Sequence, residues 1–168
     1  AVEGADAIVH LEAAKDDWGI YDATFFIEDV EVTRRLIEDA RERDIHGWVI
    51  YSSVAGMGHG DEPRSEEASL VPNGAYGTSK MKAERLFQEY AKEVPEMSCV
   101  ILRPSIIFGP GHFSYTNVHR LIESIRGNRF LMVGDGQAIK TTSYIENVIG
   151  ATLYLWERRS KGIQTYIY

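Results

Sequence analysis

The chain has 168 residues, with 18 Lys+Arg against 25 Asp+Glu for a formal net charge of −7, and is 44% hydrophobic and 26% charged. This is the composition of one folded domain of ordinary size; it excludes a disordered chain, and an acidic balance without a Lys/Arg run excludes a general nucleic-acid surface. No apolar run approaches the ~20 residues of a bilayer span, no basic segment precedes an apolar stretch at the start, and the single Cys99 excludes an intramolecular disulfide and makes a zinc site implausible. The expectation is a cytoplasmic protein with no membrane, nucleic-acid or metal partner.

In chain order, residues 7–11 (Ala-Ile-Val-His-Leu) read as a short apolar strand, and residues 21–43 repeat apolar side chains, Val30, Leu36 and Ile37 among them, at helical spacing. Residues 48–51 (Trp-Val-Ile-Tyr) form a second strand rich in β-formers, which runs into Ser52-Ser53 and the Gly-rich loop 56–60. A helix is expected over 75–92, closed by Pro95, then a third strand over 98–102 that holds Cys99 as a buried thiol rather than a nucleophile. Beyond Pro104 come the apolar run 106–108, the turn Gly109-Pro110-Gly111, a helix over 117–125, a strand over 130–133, the turn Gly134-Asp135-Gly136 and a last helix over 147–158. The βαβαβ rhythm implies an α/β fold with a parallel sheet. No internal repeat interrupts it.

The most informative side chains are Ser53, at the end of the second strand, and Tyr76 and Lys80, spaced i, i+4 on one helical face. A nearby ammonium favours phenolate and moves a tyrosine from its usual value near 10 toward working pH, which suits a general acid or base acting on a hydroxyl or carbonyl. A serine at a strand's C-terminal end can hydrogen-bond the same oxygen, and in a doubly wound sheet ligands bind at those ends. Tyr-x-x-x-Lys alone occurs by chance in many helices; its company makes it specific.

That company is Val49-Ile50-Tyr51-Ser52-Ser53-Val54-Ala55, Pro72, Tyr76-Gly77-Thr78-Ser79-Lys80, Ala83-Glu84, Leu102-Arg103-Pro104 and Phe108-Gly109-Pro110-Gly111. In this order the segments resemble the extended short-chain dehydrogenase/reductases, and within them the NAD-dependent nucleotide-sugar epimerase/dehydratase branch; Asn117-Val118, Gly134-Asp135-Gly136 and Tyr144-Ile145-Glu146-Asn147-Val148 extend the likeness over nearly the whole chain. The resemblance implies one domain over 1–168, in which 1–104 is the second half of a Rossmann-like doubly wound sheet and 105–168 holds part of a small substrate lobe and the closing helices.

It also implies roles. Tyr76 would be the acid/base, Lys80 would hold the nicotinamide ribose of NAD, Pro104 would lie beside the cofactor, and Ser53 would orient the substrate hydroxyl. Asn117 and Lys140 fall where relatives hold the nucleotide diphosphate of the sugar substrate; otherwise they are a helix cap and a solvated charge. Val54-Ala55 stand where 4,6-dehydratases carry an Asp-Glu pair, so epimerisation or carbonyl reduction fits better than elimination of water. The Gly-x-x-Gly-x-x-Gly turn that holds the NAD pyrophosphate does not occur in the sequence. Residues 7–11 match the family's fourth strand, with Glu12 and Asp29 placing negative charge near the pyrophosphate region. Such a strand would present an open edge of Ile8, Val9 and Leu11, and relatives pair the helices at 21–43 and 75–92 into a dimer, so a homodimer is expected. A non-enzymatic or engineered α/β fragment and a hydroxysteroid-type reductase are the alternatives.

Overall fold

The computed structural model describes residues 2–13, 26–60, 63–111, 116–132, 134–137 and 139–168. Four parallel strands, β1 (Ala7–His10), β2 (Gly47–Tyr51), β3 (Ser98–Arg103) and β6 (Gly162–Ile167), form one sheet in the order β1-β2-β3-β6. Two short strands between β3 and β6, β4 (Ile106–Phe108) and β5 (Thr142–Tyr144), pair in parallel as a separate ribbon. Helices α1 (Val32–Glu42), α2 (Ala75–Glu93), α3 (Asn117–Arg126) and α4 (Ile145–Glu157) connect them.

The strands are parallel because a helix returns the chain to the same end of the sheet each time, and the near-continuous apolar runs of β2 and β3 are what burial on both faces requires. One face carries Ile8, Trp48, Ile50, Cys99 and Ile101 against Ile37 and Ala40 of α1 and Phe87 and Tyr90 of α2. The alternate residues Val49, Val100 and Leu102 turn to the other face and meet Leu155 and Trp156 of α4. Trp48 anchors the first core: its ring lies edge-on to Phe87 at 5.0 Å and to Tyr90 at 6.3 Å, arrangements that each add about 0.5–1.5 kcal/mol beyond area burial. Burial pushes the Cys99 thiol up, and the Glu84 charge pushes the same way, so the group is an inert core side chain.

Three readings of the sequence are corrected. The expected helix over 21–43 is, in its described part, a π-helical turn over Phe26–Glu31 followed by α1; residues 21–25 lie outside the described residues. Residues 130–132 form no strand, and Val133 lies outside the described residues; Leu131 and Met132 are 80% and 60% exposed, so an apolar run there finds no partner to pair with. Helix α4 begins at Ile145, two residues before the expected start. Strands β5 and β6 were not expected, and β6 brings the end of the chain back to the main sheet beside β3.

Candidate active site

Ser53 owes its position to the β2–β3 ladder running past the strand ends, where Ser52 N donates to Leu102 O at 2.8 Å and Val54 N to Pro104 O at 3.3 Å. The chain then turns sharply through a 3₁₀ turn, Val54–Met57, whose first turn Ser53 caps by accepting from Ala55 N at 3.2 Å. Two glycines let this turn pack against the segment 71–77 that leads into α2. A Cβ on Gly77 would lie 2.4 Å from Ala55 O, and one on Gly58, whose φ is +75°, would lie 1.9 Å from Val71 O. Only glycine fits either place, and the contact at Gly77 brings the first turn of α2, with Tyr76, against the loop that carries Ser53.

The result is a groove of about 710 Å³ lined by Ser53, Ala55, His59, Asn73, Tyr76 and Lys140, among others. It opens at the C-terminal ends of β2 and β3, the expected ligand position for such a sheet. Among the described residues its lining includes no Asp or Glu and one lysine. Ser53 and Tyr76 are partly exposed in it and Lys140 is exposed.

Lys80 is not in this groove. It is buried behind Tyr76, its Nζ 5.8 Å from the centre of the tyrosine ring. There it pairs with Asp29 Oδ1 at 3.1 Å and donates to the carbonyl of Glu12 at 3.2 Å. Asp29 is buried too, and Ser79 donates to its second oxygen. A second chain of bonds fixes the backbone of Asp29. Thr33 gives its hydroxyl hydrogen to Asp29 O at 2.5 Å, so at the 2.8 Å contact between Thr33 Oγ1 and His10 Nε2 the imidazole is the donor. Burial, with the Lys80 charge second, lowers the His10 pKa to about 4 against an opposing pull from Asp29, so the ring is neutral near pH 7.

The chain belongs to the NAD-dependent epimerase/dehydratase family. The description of that family matches residues 1–168. The chain is 30% identical over 169 residues to the N-acetyl-alpha-D-glucosaminyl-diphospho-ditrans,octacis-undecaprenol 4-epimerase of Escherichia coli O157:H7, covering 100% of this chain and 50% of that protein. It is 31% identical over 173 residues to the 2-alkyl-3-oxoalkanoate reductase of Stenotrophomonas maltophilia (strain K279a), covering 96% of this chain and 49% of that one. The solved structure of MoeE5 in complex with UDP-glucuronic acid and NAD superposes with a TM-score of 0.86 at 27% identity, over 99% of this chain and 57% of that chain. The chain thus spans about half the length of the curated relatives it matches.

Of the residues singled out in the sequence, Ser53, Tyr76 and Lys140 share the groove, and Lys80 stands one layer behind. Pro104 is buried at the end of β3 and holds Val54 through its carbonyl. Asn117 is exposed at the start of α3 and does not line the groove; the cap of that helix is Thr116, which accepts from His119 N at 3.4 Å. Asp29 was expected to bring charge toward a pyrophosphate, but its carboxylate is turned onto Lys80 and Ser79. His59 and Asn73 were missed as individual residues, although the Gly-rich loop that carries His59 stood out. Asn73 Oδ1 accepts from His59 N at 3.3 Å and joins the two sides of the groove's mouth. No cluster of three or more His, Cys, Asp or Glu able to hold a metal occurs among the described residues, and none of their helices is long and apolar enough to cross a membrane.

Proposed function

We propose that this chain carries the substrate-activating part of an NAD-dependent nucleotide-sugar epimerase acting in the cytoplasm. The observation that carries the reading is the juxtaposition of Ser53 and Tyr76 in one open groove whose described lining holds no carboxylate, with the Lys80 ammonium behind the phenol. Tyr76 takes or returns the proton of a sugar hydroxyl, Ser53 hydrogen-bonds the same oxygen, and Lys80 biases the phenol electrostatically. Lys140, the one lysine at the groove, meets the diphosphate as a point charge without the fork an arginine would offer. Asn117, exposed at the start of α3, is the second residue proposed for that diphosphate.

The residues fit the reacting end of NAD at Tyr76 and Ser53, and the sequence offers no Gly-x-x-Gly-x-x-Gly turn for its pyrophosphate. When bound, the nicotinamide supplies a reversible hydride acceptor. The absence of a carboxylate pair at Val54-Ala55 supports epimerisation over dehydration. We also propose a homodimer. The 31% identity to a 3-oxo acid reductase supports a second reading, carbonyl reduction by the same Ser53, Tyr76 and Lys80.

The test is conversion of UDP-glucose to UDP-galactose with added NAD, comparing the protein with Tyr76→Phe. The expected loss is about 100-fold or more, the scale of positioned acid–base catalysis. Equal rates would remove Tyr76 from the mechanism, and reduction of a 3-oxo substrate without epimerisation would favour the second reading.

A further inference from the structure

We propose that Asp29 is a positioning residue that sets the protonation of Tyr76 by neutralising the Lys80 ammonium. This rests on the reading of Tyr76 as the acid/base and deepens it. The pair is built rather than incidental: both side chains are buried, one Asp29 oxygen is 3.1 Å from Lys80 Nζ, and the other accepts from Ser79, one residue before Lys80 on the same helix. The backbone of Asp29 is held from the opposite side by the His10–Thr33 relay, at a π-helical turn where the peptide is offset from ordinary helical register.

The electrostatic consequence follows from the neighbours. An unpaired ammonium 5.8 Å from the Tyr76 ring favours phenolate. With a carboxylate bound to it the pair is nearly neutral from outside, and Tyr76 keeps its proton to higher pH.

Among the described residues, the other charged or titratable groups near the pair are engaged elsewhere or neutral. From β1, His10 is neutral. From α2, Glu84 is occupied by Arg103 of β3 through two bonds, at 3.0 and 2.7 Å. His59 and Lys140 line the groove with Tyr76, and Lys80 is not part of that lining. The pair therefore biases Tyr76 toward its protonated form, suited to donating to a carbonyl oxygen.

Asp29→Asn tests this with the network kept. The amide oxygen still accepts from Lys80, its N–H₂ donates to Ser79 Oγ, and the Ser79 hydroxyl turns to Tyr76 O, 2.8 Å away. The readout is the titration of Tyr76 in the free protein, by NMR of Cζ-labelled tyrosine assigned with Tyr76→Phe, and it needs neither NAD nor substrate. The Tyr76 midpoint is expected to fall by about one pH unit in Asp29→Asn, a tenfold change in proton affinity and the scale of one unit charge inside a protein. Where Asp29→Asn does not fold, Asp29→Ser removes the charge and leaves a hydroxyl acceptor, with the same expected direction. A midpoint that stays or rises in the folded variant overturns the proposal. Because turnover is not measured, this outcome is independent of the Tyr76→Phe test of function.

Discussion

His10 shows how a single side chain links the sheet to the site. It ends β1 with its ring turned in, and its Nε2–H starts the relay through Thr33 that fixes the Asp29 peptide. Its pKa is about 4 in the fold and 6.5 in the unfolded chain, so between those values the unfolded state binds the extra proton and stability rises with pH. The stability is complete above pH 6.5 and lost as pH falls toward 4, by on the order of 3 kcal/mol at most, from the cost per pKa unit. Urea unfolding between pH 7 and pH 4 should show that loss. His10→Gln, which keeps an N–H donor and cannot titrate, should flatten the profile; an unchanged slope would mean the imidazole does not contribute.

Glu84 makes the same point in a different balance. Its carboxylate takes two bonds from Arg103, whose third contact is the carbonyl of Glu66 at 3.0 Å, tying α2, β3 and the 63–70 loop together. Glu84→Ala leaves a guanidinium buried without its partner, and chemical denaturation should register about 3–5 kcal/mol of lost stability.

At the scale of elements, the joint between the 3₁₀ turn and α2 decides whether there is a site at all. Gly77→Ala drives a methyl into Ala55 O, and either the helix or the turn must yield. We expect about 1–3 kcal/mol of destabilisation, the usual cost of overpacking, visible as a lower melting temperature, together with shifted NMR resonances for Ser53 and Tyr76.

This joint also marks the limit of what the sequence made legible. Strands β2 and β3 and helix α2 could be read directly, since apolar runs bounded by turn residues and a buried stripe from Ala83 through Phe87 to Tyr90 are local patterns. Strand β6 mixes Gln164 and Thr165 into its run and is only half-buried throughout, so no pattern separated it from a loop. The apolar run at 130–132 misled for the converse reason: hydrophobicity marks a candidate strand without showing that a neighbour exists to pair with it. Ser53 and Tyr76 could be proposed together because the motif is compact, but the Asp29–Lys80 pair spans 51 positions, and only the fold brings the two together.

Over the whole molecule, the two faces of the sheet are unequally covered. The first is sealed by α1 and α2, whose outer surfaces carry Arg34, Arg35, Glu38, Lys82, Arg85 and Glu89. On the other, α4 reaches β2 and β3, and Val9 and Leu11 at the β1 edge, with Ile149 and Leu153 on α4, are each at least half exposed. For the homodimer proposed above, these apolar residues of β1 and α4 are a contact surface beside the helix pairing that the resemblance implies. Light scattering at high protein concentration should give a mass above 18.9 kDa, and Val9→Lys should return it to that value; a monomer at every concentration would contradict the homodimer. In a second measurement, NADH fluorescence titration of the 168-residue chain should give an affinity weaker than micromolar, since the sequence has no Gly-rich turn to hold the pyrophosphate.

The end position of β1 has one more outcome, in time rather than in space. Among the described residues β2 and β3 are paired on both sides, whereas β1 has β2 alone, so alternate amides of β1 point away from this sheet. In deuterated buffer those amides should exchange almost as fast as a free peptide, and the neighbouring ones in the same strand only when β1 detaches. The amides of Val49, Ile101 and Leu102 should persist until the entire sheet opens. A two-speed β1 beside a slow β2 and β3 would make its detachment, which also releases His10 from Thr33, the first step by which this protein loosens.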